Sequence, residues 1–390
     1  MIILSMLGTG TYQPVQYSWN GRTAQTHRFF QASLREWFPE AELLVCVTSE
    51  ARAKHGEAIQ REVAGVTLID IPSGRNEEEY WRIFNIVNEK IPQGSDLVLD
   101  ITHGFRSLPI LVLLAISFLR SAKGVSLKHI LYGAYEAQID SIAPVFDLTE
   151  FVTMLDWASA TSRFLETGDA RKFKPLVETK RSKPLNVHLN AAVKELDSLS
   201  QALATNRALR SGELARKARE KLLKAKEEKW ELRHEPLKLL LPRLEESLTL
   251  LSQDGQSSPE DQLKQSFGQV MWLLQNQQFE KALGLSREWM VSFAQWKRQG
   301  TWRPVEHRKR GEIEKWLNEC AKSEIRPPDD WKAFIEVWKD LGDLRNDLMH
   351  FGFREAARAE TSIPDEVREK IHRLRTVVYS MGIELPWRGQ

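Results

Sequence analysis

Two periodicities divide the chain. Up to about residue 148, short apolar runs alternate with stretches whose apolar residues recur every three or four positions; beyond it only the helical spacing continues. The runs predict strands over 2–7, 42–48, 66–71, 96–101 and 127–134, and the spacing predicts helices over 23–38, 50–63, 77–91 and 105–122. Runs such as Leu43-Leu44-Val45-Cys46-Val47 and Leu97-Val98-Leu99 are apolar at every position, as strands covered on both faces of a parallel sheet are. Repeated β-α alternation of this kind implies an α/β, Rossmann-like domain with helices on both faces of its sheet.

From Phe151 onward the spacing predicts helices over 151–167, 190–229, 237–252, 259–276, 279–297, 311–323, 329–351 and 365–381. Residues 169–184 form a basic, proline-containing connection, and 254–259 read as a loop in which Ser258 can cap the next helix. The expected organisation is a Rossmann-like domain over 1–150, a connecting helix and basic linker over 151–189, and an all-α domain over 190–390.

Composition narrows the function classes. The 390 residues suffice for two domains, and 42% hydrophobic with 28% charged residues is ordinary for a globular protein. A net charge of +2 gives no global nucleic-acid footprint, so any such surface must be local. Cys46 and Cys320 stand far apart in unlike segments, which argues against a disulfide framework or a cysteine-rich zinc site. The first eight residues lack a basic n-region, and the apolar stretch 108–119 is bounded by Arg106 and Arg120, well below spanning length. A cytoplasmic protein without a membrane partner is expected.

Candidate chemistry sits where predicted strands end. In an open parallel sheet, ligands bind beyond the carboxyl ends of the strands. The first strand runs into Leu7-Gly8-Thr9-Gly10-Thr11-Tyr12, and the fourth into Asp100-Ile101-Thr102-His103-Gly104-Phe105-Arg106, directly before a helix. Glycines admit a ligand close to the backbone; helix-start amides with Thr9, Thr102, His103 and Arg106 offer donors to an anion. The third glycine of a dinucleotide fingerprint is missing, which argues against a nicotinamide enzyme. Strand-end turn chemistry with a helix cap is the plainer account of residues 100–104.

The second constellation is Arg345-Asn346-Asp347-Leu348-Met349-His350. A histidine can move a proton near neutral pH, and an arginine can stabilise a phosphate gaining charge. The stripe Phe334, Trp338, Leu341 and Leu348 should face inward, which at about 100° per residue puts His350 opposite Leu341. Asn346 shares the face of His350. A solvated helix end with Arg345 paired to Asp343 or Asp347 is the alternative.

Taken together these motifs resemble a CRISPR-associated family. Asp100-Ile101-Thr102-His103-Gly104 matches its Asp-x-Thr-His-Gly signature, the loop 7–12 resembles its first-strand loop, and Arg345 with His350 fits the Arg, four to six residues, His pattern of HEPN nucleases. Its members join an amino-terminal CARF sensor to a helical HEPN domain. The resemblance implies a homodimer, or a higher oligomer, that binds a cyclic oligoadenylate through Gly8, Thr9, Gly10, Thr102, His103, Gly104 and Arg106. The four-adenylate ring is the expected activator, and slow cleavage of that activator is a further possibility in the family. Binding would switch on metal-independent cleavage of single-stranded RNA by Arg345, Asn346 and His350, with coupling through the helix at 151–167. The products would be a 2′,3′-cyclic phosphate and a 5′-hydroxyl. No metal or other cofactor is expected. CARF domains are also joined to DNA-binding modules, so a regulator whose helical half binds nucleic acid or a partner without cleaving it is the second candidate.

Weaker signals fill the rest. The basic run from Arg207 to Lys226 is interleaved with glutamates and reads as a solvated helix face; Arg308-Lys309-Arg310 is a local phosphate-contact candidate. The tryptophans of the second half are expected in the core. His27, His55, His129, His188, His234, His307 and His372 show no pattern that separates ligand from bystander.

Overall fold

Apolar runs and turn residues together build one mixed sheet. Its strands among the described residues are β1 (Ile2–Leu7), β2 (Val15–Trp19), β3 (Arg22–His27), β4 (Glu42–Val47), β5 (Val66–Asp70), β6 (Asp96–Asp100), β7 (Ser126–Gly133) and β8 (Ile142–Asp147). Their order is β3-β2-β8-β7-β6-β1-β4-β5. These coordinates come from a computed structural model that describes all residues except 104–106, 179–185, 232–233, 302–306, 352, 354–356 and 387–390. The chain divides into two compact units, Met1–Thr153 and Met154–Gln390.

In the first unit the strands expected from apolar runs pair in parallel, β7 on β6, β6 on β1, β1 on β4 and β4 on β5. Helices α1 (Phe30–Trp37), α2 (Ser49–Glu62), α3 (Glu77–Lys90) and α4 (Ser107–Ala122) cover them. Alternation along each strand sends Ile3 and Val45 to the layer of Phe30, Leu34 and Ile59, and Leu4 and Leu44 to the layer of Ile83, Val87, Val112 and Ile116.

The sheet is not wholly parallel, and helical periodicity misread one segment. Residues expected as a helix over 23–38 begin as strand β3 and become helical only at α1. Asn20 and Gly21 explain this: their φ angles of 50° and 75° form the two-residue turn joining the antiparallel β2 and β3. Asn-Gly between two strands is the strongest short-range hairpin signal, and it outweighs apolar spacing here. A second such turn, Asp140-Ser141 at φ 51° and 64°, leads into β8, which runs antiparallel to β7. All of β2, β3 and β8 lie outside the strands expected from apolar runs.

The second unit is helical. Helix α5 (Thr149–Thr167) spans the division, followed by α6 (Lys174–Val177), α7 (Val187–Ala204), α8 (Ala208–Ala225), α9 (Leu237–Leu251), α10 (Pro259–Gln275), α11 (Phe279–Gln299), α12 (His307–Ala321), α13 (Lys332–Met349) and α14 (Ile363–Ser380). The single helix expected over 190–229 is instead α7 and α8, broken where Asn206 takes the left-handed φ of 56°. Trp157, Trp230, Trp272, Trp289, Trp331 and Trp338 all join one core, as expected of this half. Among the described residues no helix is long and apolar enough to cross a membrane.

Candidate functional sites

Strand order places both amino-terminal loops at one crevice. Strand β1 lies between β6 and β4, so successive connections leave it in opposite directions, and the carboxyl ends of β1 and β6 flank that switch point. From β1 the chain passes β6, β7 and β8 to reach β2 at the far side. Tyr12, midway along this path, holds the loop. Its hydroxyl accepts from the Gly8 amide at 2.8 Å and donates to the Gly8 carbonyl at 3.0 Å, while its ring meets His103 edge-on at 4.5 Å. Helix α2 secures the next residues: Lys54 Nζ donates to the Thr9 carbonyl at 2.6 Å, and His55 Nε2 donates to the Gly10 carbonyl at 2.8 Å.

Several of the expected ligand-binding residues already have partners within the chain. The Gly8 amide is spent on Tyr12. Thr102 donates its amide to Asp100 Oδ1 at 2.8 Å, and its hydroxyl oxygen accepts from the Gly133 amide at 2.8 Å, which ties the end of β6 to β7. Gly10 is exposed and faces open space. Gly104 and Arg106 lie outside the described residues. His103 is half-buried overall, yet its Nε2 atom is enclosed without a partner among the described residues. Burial, reinforced by neighbouring His55, pushes the imidazole down to about 4, so at neutral pH it is not a cation for phosphate. Beneath the loop runs a buried polar chain: Gln31 Nε2 donates to Ser5 Oγ at 2.9 Å, and Ser5 donates to Asp100 Oδ2 at 2.5 Å. Tyr12 closes the first-strand loop motif, but Gln31 and Ser5 carried no motif and His55 no distinguishing pattern; only the fold gathers them.

In the helical unit, α13 continues unbroken through Gly342, with Phe334, Trp338 and Leu341 buried. Asn346 and His350 are exposed, and His350 caps the helix. Arg345 is half-buried and lines a cleft of about 670 Å³ bounded by α7, α8, α10, α11, α12 and α13; His350 does not line it. The pairing of Arg345 with Asp343 or Asp347 is absent among the described residues. Asp347 is buried and accepts from the Arg358 amide at 3.3 Å. Gly342 has a packing role: a Cβ there would sit 2.4 Å from the Arg287 guanidinium, which stacks 3.8 Å over Trp338.

Two surface expectations resolve differently. Arg210 and Lys217 pair with Glu213, Arg216 with Glu220, Lys221 with Glu195 and Lys226 with Glu245, so the α8 run is largely neutralised in place. Arg310 is not free for phosphate, because it binds Ser292 Oγ at 2.7 Å and the Glu288 carboxylate at 2.6 Å. His234 is buried between Asn186 and the Leu176 carbonyl.

Residues 74–136 match the family model described as CRISPR system endoribonuclease Csx1, CARF domain. That span runs from the approach to α3 through β6, the Asp100 loop, α4 and β7. The amino-terminal unit is CARF-like. A CRISPR-associated protein of Methanocaldococcus jannaschii, MJ1674, is 31% identical over 121 residues, 30% of this chain. The matched stretch spans 19% of that relative's length.

The CARF-like unit carries two opposed pH responses. Burial pushes the Asp100 carboxyl up to about 6, against hydrogen bonds from Ser5 and Thr102 that pull it down. Between about pH 4 and 6, folded Asp100 keeps a proton that the unfolded chain releases, so its contribution to stability falls as pH rises. Folded His103 lacks a proton that the unfolded chain holds over the same window, so its contribution grows. Each slope approaches about 1.4 kcal/mol per pH unit, and the two offset one another. Asp100→Asn is therefore expected to show stability climbing from about pH 4 to 6 relative to wild type, read by denaturant unfolding. Parallel profiles for the two proteins would rule out a shifted carboxyl at Asp100.

Proposed function

We propose that the protein is a cyclic-oligoadenylate-activated, metal-independent endoribonuclease of type III CRISPR defence that cuts single-stranded RNA. The observation that carries this is the coexistence, on one chain, of a CARF-domain match spanning the Asp100–Gly104 motif and the Arg345/Asn346/His350 set at the end of α13. A binding module has no need of that set.

In the proposed reaction the ribose 2′-hydroxyl gives its proton to solvent and attacks the adjacent phosphate, and the bond to the 5′-oxygen breaks. His350 delivers a proton to that leaving oxygen, Arg345 holds the crowded phosphate, and Asn346 orients His350 or the phosphate. A 2′,3′-cyclic phosphate and a 5′-hydroxyl result, and DNA is refused for want of the 2′-hydroxyl. Two-fold dimerisation is part of the proposal, since one chain supplies a single exposed Asn346–His350 face and two would enclose a phosphate. Support for a partner copy comes from α4, where Ile110, Leu114 and Phe118 stand exposed at helical spacing. A four-adenylate ring shares the two-fold symmetry of such a dimer.

The test is cleavage of a labelled single-stranded RNA in EDTA, with and without each cyclic oligoadenylate ring. The expected result is an increase of about 10- to 100-fold with one ring size, within what a coupling of about 1–3 kcal/mol allows. Equal cleavage under every condition removes the sensing role; no cleavage under any condition removes the nuclease.

A further inference from the structure

The cleft beside Arg345 has features that cleavage alone does not require. Its charge is unbalanced in one direction. Arg210 and Arg310 on its walls are held by Glu213 and Glu288, but Arg207, Lys281 and Arg345 line it without a carboxylate partner among the described residues. Among the described residues Lys281 Nζ reaches only the Leu203 carbonyl, at 3.1 Å. Arg287, with 18% of its side chain exposed, also lines the cleft, and Glu314 lies 3.9 Å from it. Burial lowers the Arg287 guanidinium below its ordinary value, with Glu314 opposing and Arg345 adding to the shift. The carboxylates of Glu288 and Asp343 oppose the shift as well, yet on the cleft walls the cations outnumber Glu280, Glu288 and Glu314, and that excess favours an anion.

The floor is different in kind. Leu251, Leu273 and Leu285 give an apolar surface, and two amides interrupt it. Gln269 Nε2 donates to the Ala208 and Leu251 carbonyls at 3.1 and 3.0 Å. Gln253 Nε2 is buried and has no partner among the described residues. A buried, unpaired amide donor costs about 1–3 kcal/mol unless something supplies its acceptor. Apolar walls, a few placed polar groups and a volume of about 670 Å³ suit a nucleotide-sized guest with a flat, hydrogen-bonding base and an anionic phosphate.

We propose that this cleft is a subsite for one nucleotide of the substrate RNA next to the scissile phosphate, with Lys281 and Arg287 holding a flanking phosphate and Gln253 reading the base. It rests on the ribonuclease assignment above and extends it from chemistry to sequence preference. Arg345 lies on its wall, so a nucleotide seated there brings the neighbouring phosphate to the candidate catalytic helix.

Two measurements on the full chain separate this subsite from the nuclease itself. The first maps cleavage sites on a randomised RNA. Wild type should prefer one base at a fixed position beside the cut, and Gln253→Leu should flatten that preference about tenfold while still cutting, the scale of one lost hydrogen bond. The second measures binding of each 3′-nucleoside monophosphate by calorimetry to wild type and to Lys281→Met, a change that keeps the length of the side chain and removes its charge. Lys281→Met should weaken binding about tenfold, as expected for one charge-assisted contact. Cleavage with an unchanged site preference in Gln253→Leu, or monophosphate binding untouched by Lys281→Met, overturns the subsite and leaves the nuclease standing. Monophosphate binding that Lys281→Met weakens, in a wild type that never cuts RNA, overturns the nuclease and leaves an anionic-nucleotide site.

Discussion

His350→Ala is expected to lower activator-stimulated RNA cleavage by about 10²–10⁴-fold, the usual contribution of a positioned general acid or base. The melting temperature and the affinity for cyclic oligoadenylate should stay at wild-type values. That separation follows from the surroundings of the residue. His350 is exposed, and among the described residues its hydrogen bonds run through its backbone, whose amide donates to the Asn346 carbonyl at 3.2 Å. Removing the imidazole therefore empties no core space and strands no buried partner. Single-turnover rates at saturating activator are the right measurement, because they isolate the chemical step from RNA binding and release. His350→Ala cutting at the wild-type rate would sink the assignment of the site.

What the sequence made legible was whatever one element's own pattern carries. Strands β1, β4 and β6 announce themselves because both faces are buried, and the α13 stripe announces itself because Phe334, Trp338 and Leu341 repeat at helical spacing. Strand β3 did not, because Arg22, Thr23, Gln25 and Thr26 leave it mostly solvated and Asn20-Gly21 was the only clue to its turn. The sites divide the same way. Asp100 through His103 and Arg345 through His350 are contiguous motifs and could be read directly. Tyr12 against His103, and Gln253 with Lys281 and Arg287 around one cleft, are assembled from segments far apart in sequence. Thr102 shows both kinds of signal: it reads as a ligand donor from its motif, while its hydroxyl oxygen also accepts from Gly133, a partner 31 residues away that no local pattern foretells.

His103→Leu should make the CARF-like unit more stable and worse at its proposed task. A buried polar atom without a partner costs about 1–3 kcal/mol, and His103 Nε2 is such an atom among the described residues. Leucine of similar reach would keep the apolar contact with the Tyr12 ring, now 4.5 Å from the imidazole, and remove the unpaired nitrogen. The expected gain is about 1 kcal/mol, or about 2–4 °C in the unfolding midpoint of a unit this size. A neutral imidazole at the end of β6 can exchange hydrogen bonds with an adenine edge or a ribose hydroxyl, which restores the missing partner on binding. Loss of that exchange in a site built around it should weaken cyclic-oligoadenylate affinity about 10- to 100-fold and shift RNA cleavage to higher activator concentration in proportion. Calorimetric affinity and thermal unfolding of the same two proteins decide the matter. A variant that loses stability and keeps full affinity makes His103 an ordinary packing residue, and the activator must then seat elsewhere along the carboxyl ends of the sheet.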